Sequence, residues 1–533
     1  MQIQVRVSEE GALRNQRHAF TDRYTLASEL LQNARRAGAV RIDIDYDPTT
    51  RRLRIRDNGR GIQDFQKLLD FNESGWDEAT KKHEHPFGVG FSKCLYAAQR
   101  CIVRSGDCYV DFLTADALAR KPIDVHLEPH GPFPGTLVEL YGVDLPDLPE
   151  LREHMRSLCI GFPVEVIFNG GSLDRPYAAN RLESVDTTVG AVHLAGTLSG
   201  KHSTETMVFL QGFRVLSPRA YSPAHVNIVH LDPERFIARL PDRHTLIEER
   251  DQAKRVNAEI RHQWRAVLEV AKFQLPPRQF VDRYTGAMRA FGHLDLLNDL
   301  DVLPRGVCAR ISGYPIQTTD SVYHFLDEDI EPPTRQDIDD GRVVLVDLDN
   351  VDDGNAAHWM FARAKGFLAV DPYMLHEGHW IYGRIRKLCD QTLGLEPVET
   401  QERARFEGCW TAADLVLCAA VRLRIGEEAV DVVDDAVHHG GTVFVPGGET
   451  TGQAVRQLSD YVDGNDQFRD YEEAADIDAF ADLVRRLRSV DPRQTLTSLL
   501  RELKLERYPV LRGKAFRLIV DGQADAHSIE LIG

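Results

Sequence analysis

Glu29 and Asn33 stand four residues apart in the run Glu29-Leu30-Leu31-Gln32-Asn33-Ala34, a spacing that puts both on one face of a helix. A carboxylate beside a neutral amide oxygen can take a proton from water and complete the oxygen shell of a Mg²⁺ ion that keeps most of its own waters. Alone, the pair reads more readily as two solvated polar residues on a surface helix. Two further groups follow in order. Asp57-Asn58-Gly59-Arg60-Gly61 offers a carboxylate followed by glycines that let the backbone approach a ligand closely, which suits an acceptor for the exocyclic amine of adenine. By itself it is also an ordinary turn. Phe87-Gly88-Val89-Gly90-Phe91 opens a helical run from Ser92 to Arg100, where free N–H groups and the positive end of the helix dipole favour phosphates.

The elements that must position these groups can be read from periodicity. Leu26, Leu30, Ala34 and Ala37 fall at helical spacing between Asp22 and Ala37, with Asp22 as the expected N-cap. Val40, Ile42, Ile44 and Tyr46 alternate with polar residues, Asp47-Pro48-Thr49-Thr50 turns the chain, and Leu53 and Ile55 alternate again. That is a β-hairpin whose second strand ends in Asp57. Ile102-Val103 opens a further strand. Neither a Gly-x-x-x-x-Gly-Lys-Ser/Thr loop nor a Gly-x-Gly-x-x-Gly after a strand occurs, so the two commonest nucleotide folds lack support.

In that order, the three groups make residues 20 to 170 resemble the ATP-binding domain of the GHKL superfamily (Bergerat fold), which includes type II topoisomerases, HtpG-type heat-shock chaperones, MutL and histidine kinases. Glu29 to Ala39 is similar to the MutL N-box, and Phe87 to Phe91 looks more like the HtpG phosphate loop. The resemblance implies ATP and Mg²⁺ as ligands, Glu29 as general base, Asn33 as Mg²⁺ ligand and Asp57 on adenine. It further implies Gly59 and Gly61 shaping that pocket, Gly88, Val89, Gly90 and Phe91 around the phosphates, and Thr136 in the adenine network. Residues 63 to 86 would form a lid, with Asn72 a candidate contact. One position departs from the pattern: Arg36 stands where MutL and the chaperones carry an aspartate.

Farther along, Met207 to Leu210, Val226 to Val229 and Phe236 to Leu240 read as strands, and Asp251 to Phe273 as a long helix. This stretch is similar to the ribosomal-S5-like transducer domain of MutL and topoisomerases. There a loop lysine reaches the γ-phosphate, and Pro241-Asp242-Arg243-His244 resembles that loop with Arg243 in the lysine's place. A surface arginine on a loop is the alternative. Histidine kinases place a phosphoacceptor helix pair ahead of the ATP domain, and only about twenty residues precede the N-box helix here.

Charge separates the halves. The chain has 533 residues, 64 basic and 82 acidic. Residues 1 to 290 carry 39 basic and 38 acidic side chains, and residues 291 to 533 carry 25 and 44. The acidic half repels phosphate backbones, so DNA contact, which charge does not support overall, would fall to Arg51, Arg52, Arg54 and Arg56 on one hairpin. A solvated strand face is the simpler account of those arginines. No apolar run reaches the ~18 residues of a membrane span, and the start lacks a signal peptide's apolar core. Eight cysteines without Cys-x-x-Cys fit a cytoplasmic chain with reduced thiols.

In the acidic half, Val343 to Val346, Leu415 to Cys418 and Thr442 to Val445 read as buried strands separated by helical patterns, an α/β domain. Asp347, Asp349 and Asp353 resemble a Toprim Asp-x-Asp element but lack the upstream Glu-Gly. His376-Glu377-Gly378-His379 has metal-ligand types at the wrong spacing for one helix face. The expectation is a multidomain α+β chain: a Bergerat α/β sandwich over 1–185, a transducer over 186–290 and an acidic α/β domain over 291–533. By resemblance it is a slow Mg²⁺-dependent ATPase. It acts as a homodimeric, ATP-gated clamp on a protein partner, chaperone-like or within a multi-protein defence complex, held through the acidic domain. The alternatives are a DNA-transacting clamp of the MutL or topoisomerase kind and a module that binds ATP without hydrolysing it.

Overall fold

The computed structural model describes residues 24–70, 91–239, 244–313, 325–348, 354–448, 452–520 and 528–532, with isolated positions 4, 76, 80 and 522. The chain divides into two compact units, Met1–His293 and Leu294–Gly533.

The first unit is built on an eight-stranded sheet. Its strands are β1 (Arg41–Asp47), β2 (Arg52–Asp57), β3 (Arg100–Gly106), β4 (Cys108–Leu113), β5 (Val125–Leu127), β6 (Phe133–Tyr141), β7 (Glu165–Phe168) and β8 (Gly171–Ser172). They run in the order β5-β4-β3-β6-β2-β1-β7-β8. Only β1 and β7 pair in parallel. Alternation sorts the two faces: Ile42, Ile44, Leu53, Ile55, Val103, Val138 and Leu140 join one core with Leu26, Leu30 and Ala34 of helix α1 (Thr25–Arg36), Cys94 and Leu95 of α2 (Ser92–Ala97), and Leu151 and Met155 of α4 (Leu148–Cys159). The short helix α3 (Thr114–Leu118) follows β4. Helices thus cover one face, making a two-layer α/β sandwich. The opposite face is a ladder of charge, where Arg41 pairs with Asp43 at 2.7 Å, Arg54 with Glu139 at 3.5 Å and Arg104 with Glu128 at 3.0 Å. Of the hairpin arginines, Arg51 pairs with Asp144 at 3.4 Å and Arg54 with Asp45 and Glu139, while Arg56 lies over the Phe133 ring.

Helix α1 begins at Thr25 and its N-cap position is Tyr24, without a side-chain cap; the expected cap, Asp22, lies outside the described residues. Val40 precedes β1 and is exposed, so the apolar alternation starts at Ile42.

A second sheet follows in the same unit, from β9 (Val185–Thr187), β10 (Gly190–His193), β11 (Thr206–Leu210), β12 (Phe213–Leu216) and β13 (Asn227–Leu231), in the order β12-β11-β13-β10-β9. Helices α5 (Glu249–Gln274) and α6 (Pro277–Phe291) pack against each other after it. Phe236 to Arg239 does not form the expected strand, and Leu240 lies outside the described residues. Asp232 to Arg235 turns the chain, and only Ala238 bridges to Leu246. Asp232 closes that turn through Arg235 and Phe236 N–H, a local demand that outweighs the apolar alternation.

The acidic unit holds two larger sheets. One runs β15-β14-β17-β16-β18, from β14 (Cys308–Ile311), β15 (Leu326–Asp327), β16 (Leu345–Asp347), β17 (Leu368–Val370) and β18 (Ile385–Lys387). Helix α7 (Arg335–Asp339) precedes β16, and α8 (Ala356–Lys365) crosses between the parallel β16 and β17. The other runs β19-β20-β23-β22, with β21 on β20, from β19 (Leu393–Glu407), β20 (Ala412–Ile425), β21 (Glu428–Val432), β22 (Val437–His439) and β23 (Thr442–Val445). No helix separates β20 from β23, contrary to the expected α/β alternation. The chain returns through the β21 and β22 hairpins, and most pairs are antiparallel. Helices α9 (Asp470–Leu487) and α10 (Pro492–Glu502) and a two-stranded ribbon, β24 (Phe516–Ile519) with β25 (Ser528–Leu531), complete it. The chain is a multidomain α+β protein. Among the described residues no helix is long and apolar enough to cross a membrane, and the eight cysteines are free thiols.

Candidate functional site

Asp57 is set by strand parity. Leu53, Ile55 and Asp57 alternate onto the helix-covered face of β2, while Arg54 and Arg56 turn to the charged face. The strand therefore delivers a carboxylate, 8% exposed, to the side on which α1 lies. Thr136, directly opposite on β6, is buried with it. One Asp57 oxygen accepts the Gly59 N–H at 2.8 Å, and Thr136 supplies hydrogen bonds from main chain and hydroxyl. Burial nonetheless pushes Asp57 above the usual carboxylate range, those bonds only opposing it. A carboxylate has about four lone-pair sites, so acceptor capacity remains beyond these partners.

The two glycines after it act through backbone packing. A Cβ at Gly59 would meet Ala37 Cβ and O at 2.8 Å, because the loop closes onto the end of α1 with Arg60 N–H donating to Ala37 O at 2.8 Å. Gly61 takes φ +78°, and a Cβ there would lie 2.7 Å from Ser105 Oγ. Ser105 had no sequence signal, yet its hydroxyl accepts Ile62 N–H at 2.8 Å and donates to Gly135 O at 2.7 Å. Gly135, at φ +76°, approaches so closely that a Cβ would meet Asp57 O at 2.0 Å. Asn58 also escaped notice; its Oδ1 accepts Val40 and Arg41 N–H at 2.9 and 3.0 Å and ties the loop to the start of β1.

Glu29 and Asn33 share a flank of α1, Glu29 buried at 6% exposure and Asn33 half-buried. Helix α2 packs against α1. Burial drives the Cys94 thiol well above its ordinary range, with the charges of Cys101 and Glu29 adding to it, so Glu29 lies beside α2. Phe91 occupies the position before α2 and packs on the core. Ser92 and Lys93 behind it are buried, a second feature without a sequence signal. Arg36, at the end of α1, sits where the helix dipole favours a cation.

The α1 end, the 57–61 loop, Gly135-Thr136 and Ser105 thus form one neighbourhood, flanked by α2. Asn72, Gly88, Val89, Gly90 and Arg243 lie outside the described residues, as do Asp349 and Asp353. Among the described residues no group of three His, Cys, Asp or Glu side chains could hold a metal ion. His376 and His379 instead make turn bonds, Nδ1 of each accepting N–H, from Gly378 at 3.1 Å and Ile381 at 3.2 Å.

No family model matches the chain, and no curated protein does. Two solved structures of the ATPase region of Saccharomyces cerevisiae topoisomerase II, the second bound to ICRF-187 (dexrazoxane), align at 15% identity over 36% of this chain, with TM-scores of 0.28 and 0.27. The alignments span 61% and 62% of those chains.

Proposed function

We propose that this chain is a GHKL-type ATPase, an ATP-gated clamp that works on a protein partner. The observation that carries the reading is Asp57: a buried carboxylate at a strand end, turned to the helix layer, held by Gly59 and Thr136 and keeping acceptor capacity. The adenine amine of ATP donates to it. Glu29 and Asn33 follow on α1 in the order that such a site needs.

In this reading ATP is substrate. Asn33 would hold Mg²⁺ arriving with the phosphates; its neutral amide oxygen beside a carboxylate is a donor pair suited to a hard cation. Mg²⁺ supplies charge neutralisation on the phosphates. Glu29 orients a water and accepts its proton as the water oxygen bonds to the γ-phosphorus and the bond to the β-phosphate oxygen breaks, giving ADP and phosphate. Residues 63–86 close over the nucleotide, Gly88 to Phe91 wrap the phosphates, Asn72 contacts the nucleotide, and Arg243 reaches the γ-phosphate from the 186–290 region. Closure brings two copies together, and the acidic domain from 291 onward holds the client, in the cytoplasm. The Arg54–Glu139 pair and the acidic second unit favour the protein partner over the DNA-clamp alternative.

The test is steady-state ATP hydrolysis by wild type and Glu29→Gln, with and without duplex DNA, and solution mass with a non-hydrolysable analogue. Glu29→Gln should lose on the order of 10²- to 10⁴-fold in kcat while binding ATP as wild type does, and the analogue should double the mass. Turnover that DNA stimulates and salt suppresses would move the function to the DNA clamp. A wild type that binds ATP without turnover would leave a binding module.

A further inference from the structure

Gln32 lies on α1 between Glu29 and Asn33 and is 1% exposed. Its Nε2 donates to the main-chain oxygen of Gln211 at 3.1 Å, and its Oε1 accepts Arg35 Nε at 2.9 Å. Gln211 and Gly212 form the two-residue turn between β11 and β12, at φ +54° and +87°, the left-handed pair that suits a tight hairpin. That turn is wedged. A Cβ at Gly212 would lie 2.6 Å from Pro163 Cδ and 2.9 Å from Phe162, and one at Gly161 would lie 2.3 Å from Phe209 of β11. Phe162 stacks on Phe213 of β12 at 5.3 Å. The carbonyl that Gln32 reaches is therefore fixed by rigid packing on both strands, so α1 cannot slide or rotate without breaking the bond or moving the hairpin.

We propose that Gln32 is a positioning residue that locks the helix bearing Glu29 and Asn33 to the β11–β12 turn, so that the position of the second sheet sets the alignment of the hydrolytic pair. This rests on the ATPase reading above. Gln32 touches neither nucleotide nor water. It acts through α1, and this bond is a route by which a shift of the second sheet reaches the site. Linkage makes the effect reciprocal, so nucleotide binding at α1 should quieten the β11–β12 turn.

The experiment measures kcat and KM for ATP and thermal unfolding on the full chain for wild type, Gln32→Leu, Gln32→Glu and Gln211→Gly. Gln32→Leu should lower kcat about tenfold or more with KM within about twofold, the signature of lost alignment without lost substrate binding. Gln211→Gly keeps the main-chain acceptor and its left-handed turn, and should stay within about twofold of wild type in both constants. Gln32→Glu keeps the Arg35 contact but donates to Gln211 O only when protonated. Its kcat relative to wild type should recover as pH falls, which a merely structural role would not produce. Wild-type kcat in Gln32→Leu, a rise in KM alone, or a flat relative pH profile for Gln32→Glu would overturn the proposal. If Gln32→Leu does not fold, the Gln32→Glu profile decides. Should the wild type bind a non-hydrolysable analogue without turning ATP over, the hydrolytic reading alone fails. Hydrogen exchange then decides the coupling: the analogue should slow the 211–213 amides in wild type and Gln211→Gly but not in Gln32→Glu at neutral pH. Binding without that slowing, or no binding at all, overturns it.

Discussion

Asp57→Asn separates the stability of the site from its chemistry. In the nucleotide-free protein Asp57 is 8% exposed, and burial holds its carboxyl above the ordinary range despite the bonds from Gly59 and Thr136. A raised carboxyl means that the folded state prefers the proton more than the unfolded chain does. Ionised Asp57 thus costs stability; the cost is absent below the unfolded value of ~3.9 and grows as pH rises through the higher folded value, reaching its full size at neutrality. Asparagine removes that cost and keeps one oxygen for the Gly59 N–H, so the free variant at pH 7 should melt at or above the wild-type temperature, and the difference should shrink towards pH 4. Binding moves the other way. On the proposed function, the adenine amine loses a charged acceptor worth about 1.5–3 kcal/mol and faces an amide donor, which should weaken the ATP Kd by roughly 10- to 150-fold. Discrimination against a purine with an oxygen at that position should narrow, since the new donor suits it. Calorimetric titration with ATP and GTP, beside thermal melts at pH 4 and pH 7, reads all three effects. An ATP Kd within threefold of wild type, or a free variant that melts well below it at pH 7, would refute the assignment of Asp57 to the base.

Gly135→Ala places a Cβ against Asp57 O on a backbone at φ +76°; it should lower stability by about 3–5 kcal/mol in a urea melt and weaken ATP binding with it. Ser105→Ala strands Ile62 N–H and Gly135 O, and should cost about 1–3 kcal/mol of stability while slowing loop-dependent ATP binding rather than the chemical step. In the second unit Asp476 is fully buried and receives Thr411 N–H at 3.0 Å, Trp410 N–H at 3.2 Å and Tyr461 OH at 3.2 Å. Burial alone would raise this carboxyl, yet the bonds from Cys409, Thr411 and Trp410 hold it below the usual range. It therefore stabilises above the unfolded carboxyl range, and that contribution fades as pH falls below about 4. Asp476→Asn should flatten the acid limb of a denaturation profile, and Asp476→Ala should cost roughly 3–5 kcal/mol at neutral pH.

Local periodicity carried much of this architecture because the elements concerned repeat a single rule. Leu26, Leu30 and Ala34 sit in the core as their spacing requires, and the β1–β2 hairpin buries Ile42, Ile44, Leu53 and Ile55. Alternation stopped working where a specific bond overrides it. Phe236 to Leu240 alternates like a strand, but the Asp232 turn leaves its described part, Phe236 to Arg239, with one bridge. Between Cys418 and Thr442 the sequence does not distinguish a crossover from two hairpins, since both bury β20 and β23 equally and only long-range pairing chooses. The supporting bonds of the site were illegible for a similar reason. Ser105 and Gly135 lie about fifty and eighty residues from Asp57 in sequence, and no local pattern marks a serine that will hold two backbone groups.

One alternation decides how the site relates to the rest of the first unit. The phase that turns Asp57 towards α1 necessarily turns Arg54 and Arg56 away, so the Asp57 carboxylate and the charged face cannot share a side of β2. Slipping the register by one residue would bury arginine and expose the carboxylate, and the apolar set of β2 forbids that because Leu53 and Ile55 would leave the core with it. The hydrophobic pattern that fixes the fold therefore also fixes which residue of β2 turns its carboxylate towards α1. The charged face keeps its own account: Arg41, Arg54 and Arg104 each meet a carboxylate on the sheet or beside it, so it presents mixed rather than uniform charge. The Gln32 bond to the β11–β12 turn joins α1, which carries Glu29 and Asn33, to the second sheet.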